Sequence, residues 1–178
     1  MIRMAQYGTK HGHASGKLKS MLDNPDVEVA GLYEPDTERR TEIESDSVYG
    51  QVHFFDSAEE MLGDDSIAAI ASEGRNDESL DQTERIVAAG KHVWYDKPAG
   101  DNWVQWQKVV AEAKEQDLQV QMGFMLRYHP GFSQISEWAR AGFLGNVYAI
   151  RAHMSTHIKP EARAVIAAGH YGGIYFDL

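Results

Sequence analysis

Short apolar runs alternate with longer helical patterns along most of this chain, and that alternation constrains the fold more than any other feature. Strand-like runs stand at Ile2–Tyr7, Val27–Tyr33, 52–55, 67–71, His92–Tyr95 and 119–122. Helical patterns lie between them at 15–22, Thr37–Ile43, 58–62, 78–89 and 102–116. In the pattern 78–89, Leu80, Ile86, Val87 and Ala89 form an apolar stripe, and Asp101 or Asn102 stands ready to cap the next helix. Strands that alternate with helices are joined by crossovers, which places them parallel and covers both faces of the sheet. Six such units predict an α/β fold, a doubly wound parallel sheet of the Rossmann type, over residues 1–122.

The pattern changes after Gly123. A helix is expected over 132–141, then Gly142 and Gly145, then one long strand over 147–156. Residues 123–178 therefore read as the start of a substrate domain of α+β type, left incomplete at Leu178. A lone helix and one strand leave an open sheet edge, so we expect a fragment of a longer protein, inactive by itself.

Composition narrows the function classes. The 178 residues carry a net charge of −10, which argues against nucleic acid as a partner because such binding needs a basic face. No apolar run approaches the roughly 20 residues of a membrane span. Met1-Ile2-Arg3-Met4 runs straight into a strand pattern without signal-peptide features, and there is no cysteine. These features lead us to expect a cytoplasmic protein.

The loop after the first strand reads Gly8-Thr9-Lys10-His11-Gly12-His13-Ala14-Ser15-Gly16. The dinucleotide fingerprint is G-x-G-x-x-G between strand and helix. Gly8 matches its first glycine, but Lys10 and His13 stand at the second and third, and Gly12 and Gly16 are displaced. A tight turn at Gly8 and a helix amino end would still favour phosphate, with Lys10, His11 and His13 adding donors. A glycine-bearing loop with no phosphate role would look the same. Glu34 ends the second strand, near the spacing of the acid that binds the ribose hydroxyls. A carboxylate there repels a 2′-phosphate and favours NAD over NADP, although Arg39 and Arg40 stand close by. Asp36 is a second candidate for that role.

The segment Gly90-Lys91-His92-Val93-Trp94-Tyr95-Asp96-Lys97-Pro98 combines a helix terminator, a short strand and a lysine held before a proline. A lysine at the carboxyl end of such a strand sits where open α/β sheets bind ligands. Elsewhere, a lone Lys-Pro is ordinary turn chemistry. Two His pairs, His11/His13 and His153/His157, invite a metal reading. A zinc site usually needs three convergent protein ligands, and no third is evident from spacing, so no metal is expected. Trp103, Trp106 and Trp138 are expected to pack helices.

Together these motifs resemble the glucose–fructose oxidoreductase, inositol dehydrogenase and MocA family. The most specific is the family's G-K-H-V-x-x-E-K-P, present at 90–98 with Asp96 in place of the glutamate. Supporting segments are Gly123-Phe124-Met125-Leu126-Arg127-Tyr128, Gly142-Phe143-Leu144-Gly145-Asn146-Val147 and Gly172-Gly173-Ile174-Tyr175-Phe176-Asp177. The last matches the opening of the family's D-x-G-x-H segment. Residues 72–79 depart from the family's T-P-N-x-x-H: Asn76 fits, the proline is absent and Ser79 stands where histidine is common.

The resemblance implies hydride transfer between a nicotinamide cofactor and a sugar, cyclitol or related polyol. It implies Lys97 and Asp177 as catalytic groups, which also contact substrate together with Arg127 and Tyr128. It implies cofactor contacts from Gly8 to His13, Glu34, Asn76 and Asp96 to Pro98. Family relatives are commonly homo-oligomers. Two other readings stay open at this point: a dinucleotide-assisted glycosidase or lyase, and a dinucleotide-binding regulator without catalysis.

Overall fold

A computed structural model describes residues 1–153 of the chain. Five parallel strands form one sheet: β1 (Ile2–Tyr7), β2 (Val27–Tyr33), β3 (Ala69–Ser72), β4 (His92–Tyr95) and β5 (Val120–Met122), in the order β2-β1-β3-β4-β5. The helices are α1 (Ala14–Leu22), α2 (Thr37–Ile43), α3 (Ala58–Gly63), α4 (Ser79–Ala88), α5 (Trp103–Glu115) and α6 (Pro130–Arg140).

Side chains alternate across the sheet, so each strand feeds two cores. Ala5, Tyr7, Ile70, Val93 and Tyr95 pack with Met61, Ile86, Val87 and Val109 from α3, α4 and α5 on one face. Met4, Val27, Val29, Ala71 and Trp94 pack with Leu18, Met21 and Ile43 from α1 and α2 on the other. This two-sided burial is why the strands read as near-continuous apolar runs. Helix starts follow local chemistry. Asn102 caps α5 by accepting the Gln105 N–H at 3.1 Å, and Asp36 caps α2 by accepting from Glu38 and Arg39.

Three expected elements differ. Residues 52–55 make no strand: contact with β2 is limited to a single parallel bridge between Leu32 and Phe54. Leu32 N–H reaches the His53 carbonyl and Phe55 N–H the Leu32 carbonyl, and the ladder stops there. The strand expected at 67–71 instead spans Ala69–Ser72, because its register begins where Ala69 meets Met4 and His92. Residues 147–153 are exposed and outside any strand, since a strand needs a ladder partner and they have none among the described residues. The rest of that expected strand, 154–156, lies outside the described residues.

The tryptophans also divide. Trp106 packs against the Tyr95 ring, with centroids 5.9 Å apart, but Trp103 is 67% exposed despite the helical spacing. Only position 106 of that pair faces the sheet. Among the described residues, no helix is long and apolar enough to cross a membrane.

Candidate functional site

The carboxyl ends of β1, β3 and β4 lie side by side and bring together three distant segments: Gly8 to His13, Ser72 to Arg75, and Asp96 to Pro98. Strand order reverses direction at β1, which neighbours both β2 and β3. A crevice outside such a switch point is where open α/β sheets take ligands.

Gly8 makes the turn out of β1. Its φ of +83° is a conformation that L side chains rarely adopt. A Cβ there would also meet Gly74 N at 2.7 Å, so the loop touches the end of β3 with no room for a side chain. Gly8 N–H binds the Tyr33 carbonyl, and His11 N–H binds the Glu73 carbonyl. The loop is thus pinned to both neighbouring strands and delivers the amino end of α1 to the crevice. His13 stands at the cap of α1 without bonding its amides, which leaves that first turn available to an anion. The loop thus turns from β1 into α1 without glycine at the second and third fingerprint positions. Only the first position requires glycine.

A cleft of about 540 Å³ opens beside this loop, lined by Thr9, Lys10, Gly12, Arg39, Tyr49 and Arg75, among others. Its size and donor set fit part of a dinucleotide. Glu34, just past β2, lies behind the cleft wall through its contact with Thr9 and is only 3% exposed. Thr9 Oγ1 donates to its Oε2 at 2.6 Å and Asp36 N–H to its Oε1 at 3.0 Å. The predicted ribose acid is therefore held inward, against the loop. Lys10 pairs with Asp36 at 2.7 Å, Arg39 with Glu42 at 3.2 Å, and Arg75 with Asp77 at 3.0 Å. Lys10 and two backbone N–H groups hold the Asp36 carboxyl below its ordinary range. Asn76 follows Arg75, half-buried, and its carbonyl accepts from Ser79 Oγ.

Beyond the loop lies a buried charge cluster that spacing did not reveal. Lys17, on the first turns of α1, is 7% exposed. Its ammonium lies 2.5 Å from Glu73 Oε1, 3.3 Å from Asp96 Oδ2 and 4.8 Å above the Trp94 ring. Burial pushes the Glu73 carboxyl up to about 7, against the pull of Lys17. Asp96 is opposed by burial too, but the charges of Lys17 and His11 and hydrogen bonds from His13 and the Lys97 N–H hold it below its ordinary value. Burial lowers His11, with Asp96 acting in the opposite direction. Neither Lys17 nor Glu73 belongs to a sequence motif. Their signal is two charged residues at positions where a parallel-sheet protein buries side chains.

Asp96 also reaches the two loop histidines, so a third convergent side chain exists where spacing suggested none. Its Oδ2 is 3.0 Å from His13 Nδ1 and 3.6 Å from His11 Nδ1. His11, His13 and Asp96 form a group able to hold a metal ion. The other pair does not extend this set: His153 is exposed and His157 lies outside the described residues.

Lys97 follows Asp96 just past the carboxyl end of β4, half-buried, and its N–H donates to Asp96 Oδ1 at 2.8 Å. The Lys97–Pro98 peptide is cis. On the other side of Asp96 a second cleft of about 600 Å³ is lined by His13, Lys17, Trp94, Phe124 and Tyr128. Tyr128 faces this space, its hydroxyl accepting from Gln121 Nε2. Arg127 is exposed and is not among the residues lining it. Asp177 lies outside the described residues.

Comparison with known proteins agrees with this architecture. Residues 3–124 match a family model described as the oxidoreductase family with an NAD-binding Rossmann fold, named for the glucose–fructose oxidoreductase, inositol dehydrogenase and MocA proteins. Among curated proteins, the chain is 28% identical over 95 residues to a dTDP-3,4-didehydro-2,6-dideoxy-alpha-D-glucose 3-reductase of Actinomadura kijaniata, covering 53% of this chain and 29% of that one. It is 23% identical over 161 residues to the rhizopine catabolism protein MocA of Rhizobium meliloti, covering 90% and 49%. Among solved structures, KijD10, a 3-ketoreductase from Actinomadura kijaniata in complex with NADP and TDP-benzene, superposes with a TM-score of 0.78 at 22% identity. That match covers 99% of this chain and 54% of the other. The chain spans about half or less of the length of these relatives.

Proposed function

Because the chain belongs to the glucose–fructose oxidoreductase, inositol dehydrogenase and MocA family, with its NAD-binding Rossmann fold, we propose that it forms the dinucleotide side of an oxidoreductase acting on a sugar, cyclitol or related polyol. The observation that carries this reading is the position of Lys97. It stands just past the carboxyl end of β4, two strands from the switch point at β1, and its neighbour Asp96 contacts His13 of the loop that leaves β1.

Each segment then has a role. Gly8 to His13 and the first turn of α1 hold the pyrophosphate. Glu34 and Asp36 flank the ribose, and Asn76, Asp96 and Pro98 shape the nicotinamide end. A nicotinamide held there would supply the acceptor or donor for the hydride of the substrate carbon. Lys97 donates a hydrogen bond to the reacting oxygen, which steadies the negative charge that grows as its proton leaves. Asp96 anchors the Lys97 backbone through the 2.8 Å bond and so fixes where that ammonium emerges. Tyr128 and Arg127 supply further substrate contacts, and Asp177 is the second catalytic group.

Between the two cofactors, NAD is the expected one. The cations lining the cleft, Lys10, Arg39 and Arg75, already face Asp36, Glu42, Asp77 and Glu78, and Glu34 adds a further carboxylate. A 2′-phosphate would enter a net negative surrounding.

The test has two arms. Calorimetry of the chain with NADH and NADPH reads binding, and tighter NADPH binding would refute the cofactor preference. In the protein carrying this chain, a panel of polyols and sugars with NAD, followed by absorbance of the reduced nicotinamide, reads turnover. Lys97→Met is expected to lower kcat on the order of 100-fold or more with dinucleotide affinity kept. Unchanged kcat would remove Lys97 from the reaction.

A further inference from the structure

We propose that His11, His13 and Asp96 form a site for one divalent transition-metal ion, with Zn²⁺ the best match, that ties the loop after β1 to the end of β4, with the buried Glu73 carboxylate beside it and a water completing the coordination. The inference does not depend on the dinucleotide reading, since it rests on the geometry of these side chains.

Tetrahedral zinc with nitrogen and oxygen ligands at ordinary bond lengths places its donor atoms about 3.4 Å from one another. Two separations among these ligands bracket that value, His11 Nδ1 to Asp96 Oδ2 at 3.6 Å and His13 Nδ1 to Asp96 Oδ2 at 3.0 Å, and Glu73 Oε2 lies 3.6 Å from His11 Nδ1. The second observation concerns Glu73, which is 0% exposed. Its Oε1 is taken by Lys17, but its Oε2 is buried without a hydrogen-bond partner and lies on the His11 side. A buried carboxylate oxygen left in that state is costly unless something binds it.

Charge points the same way. Asp96 and, when ionised, Glu73 are buried carboxylates facing one buried ammonium, Lys17. A bound cation beside them would favour the ionised form of Glu73. His11 Nδ1 accepts the His13 N–H at 3.2 Å and so carries no proton, while His13 Nδ1, which donates to Asp96 Oδ2, would give up its proton when the metal binds. An incoming metal displaces that amide. With no cysteine in the chain, the donors are imidazole and carboxylate, a set suited to Zn²⁺ and Co²⁺ rather than to soft ions such as Cu⁺.

The ion would fix the loop at two histidines and hold Asp96, the anchor of Lys97, from the other side. The rival account is that Lys17 alone supplies the counter-charge. These accounts separate cleanly with the 178-residue chain stripped by chelator. Zn²⁺ content is measured after gel filtration, affinity by calorimetry, and geometry by the visible bands of Co²⁺. The expected result is one retained equivalent, the intense spectrum of four-coordinate Co²⁺, and affinity weakened on the order of 100-fold by His11→Ala, His13→Ala or Asp96→Asn. His13 has a side chain 43% exposed, so its replacement keeps the fold and a loss there reads as a lost ligand. His129→Ala, remote from the cluster, should leave binding unchanged. The proposal is overturned if no Zn²⁺ is retained, or if the affinity of His13→Ala and Asp96→Asn equals that of the unaltered chain.

Discussion

Replacing Lys17 by Met should be among the most damaging single changes in the described sheet, and the damage should depend on pH in a stated direction. Met keeps the length and apolar stem of the side chain while removing the ammonium. At an effective dielectric of about 20, the attractions at 2.5 and 3.3 Å correspond to gross energies of about 7 and 5 kcal/mol. Most of that offsets the cost of burying the charges, but removing one partner of a buried pair still destabilises by about 3–5 kcal/mol. In a domain of this size that lowers Tm by roughly 6–20 °C.

The pH dependence follows from Glu73. Its carboxyl stands at about 7 even with Lys17 in place, above the ordinary 4.5. Losing Lys17 raises it further. A carboxyl with a raised folded-state value takes up a proton more readily folded than unfolded. Its penalty is therefore full above the folded value and is relieved as pH falls from about 7 toward 4.5. Urea denaturation of the unaltered chain and Lys17→Met at several pH values is the assay. The difference in stability should be larger above pH of about 7 and shrink as pH falls through it, because below that value Glu73 is protonated with or without Lys17. A further Glu73→Gln change in the Met variant should recover part of the loss at neutral pH. A difference under about 1 kcal/mol at neutral pH, or one that grows on acidification, would refute the account of this cluster.

Two smaller perturbations test the scaffold. Gly8→Ala forces a Cβ to 2.7 Å from Gly74 N in a left-handed turn, so it should cost about 1–3 kcal/mol and weaken NADH binding together, read by denaturation and calorimetry. Equal stability with Ala would show that the loop can leave β3. Asn102→Ala removes the acceptor for Gln105 N–H at the start of α5 and should cost about 1 kcal/mol, whereas Asn102→Gly should cost only a few tenths. Matching losses for Ala and Gly would count against that cap.

Much of the architecture is legible without coordinates. Strands β1, β2 and β4 run where their apolar runs predict, and α2 is bounded as expected, because burial on both faces of a parallel sheet leaves long apolar runs and crossovers leave helical periods. The 90–98 motif marks Lys97 for the same local reason: a helix terminator, a strand and a proline are all readable over nine residues.

What local pattern cannot supply is pairing. Residues 52–55 have strand composition, yet their ladder against β2 stops at one bridge, and residues 147–153 have the alternation without a neighbouring strand among those described. The site shows the same division. A doubly wound sheet, a loop entered through Gly8 and a lysine after β4 are all readable from residue order. The inward turn of Glu34 onto Thr9 and the meeting of buried Lys17, Glu73 and Asp96 with His11 and His13 come from the folded sheet alone. Those five come from α1, the loop before it, and the ends of β3 and β4, up to 85 positions apart as the numbers 11 and 96 imply. The physical reason is that parallel strands adjacent in space are distant in sequence, so their carboxyl ends meet only once the sheet has formed.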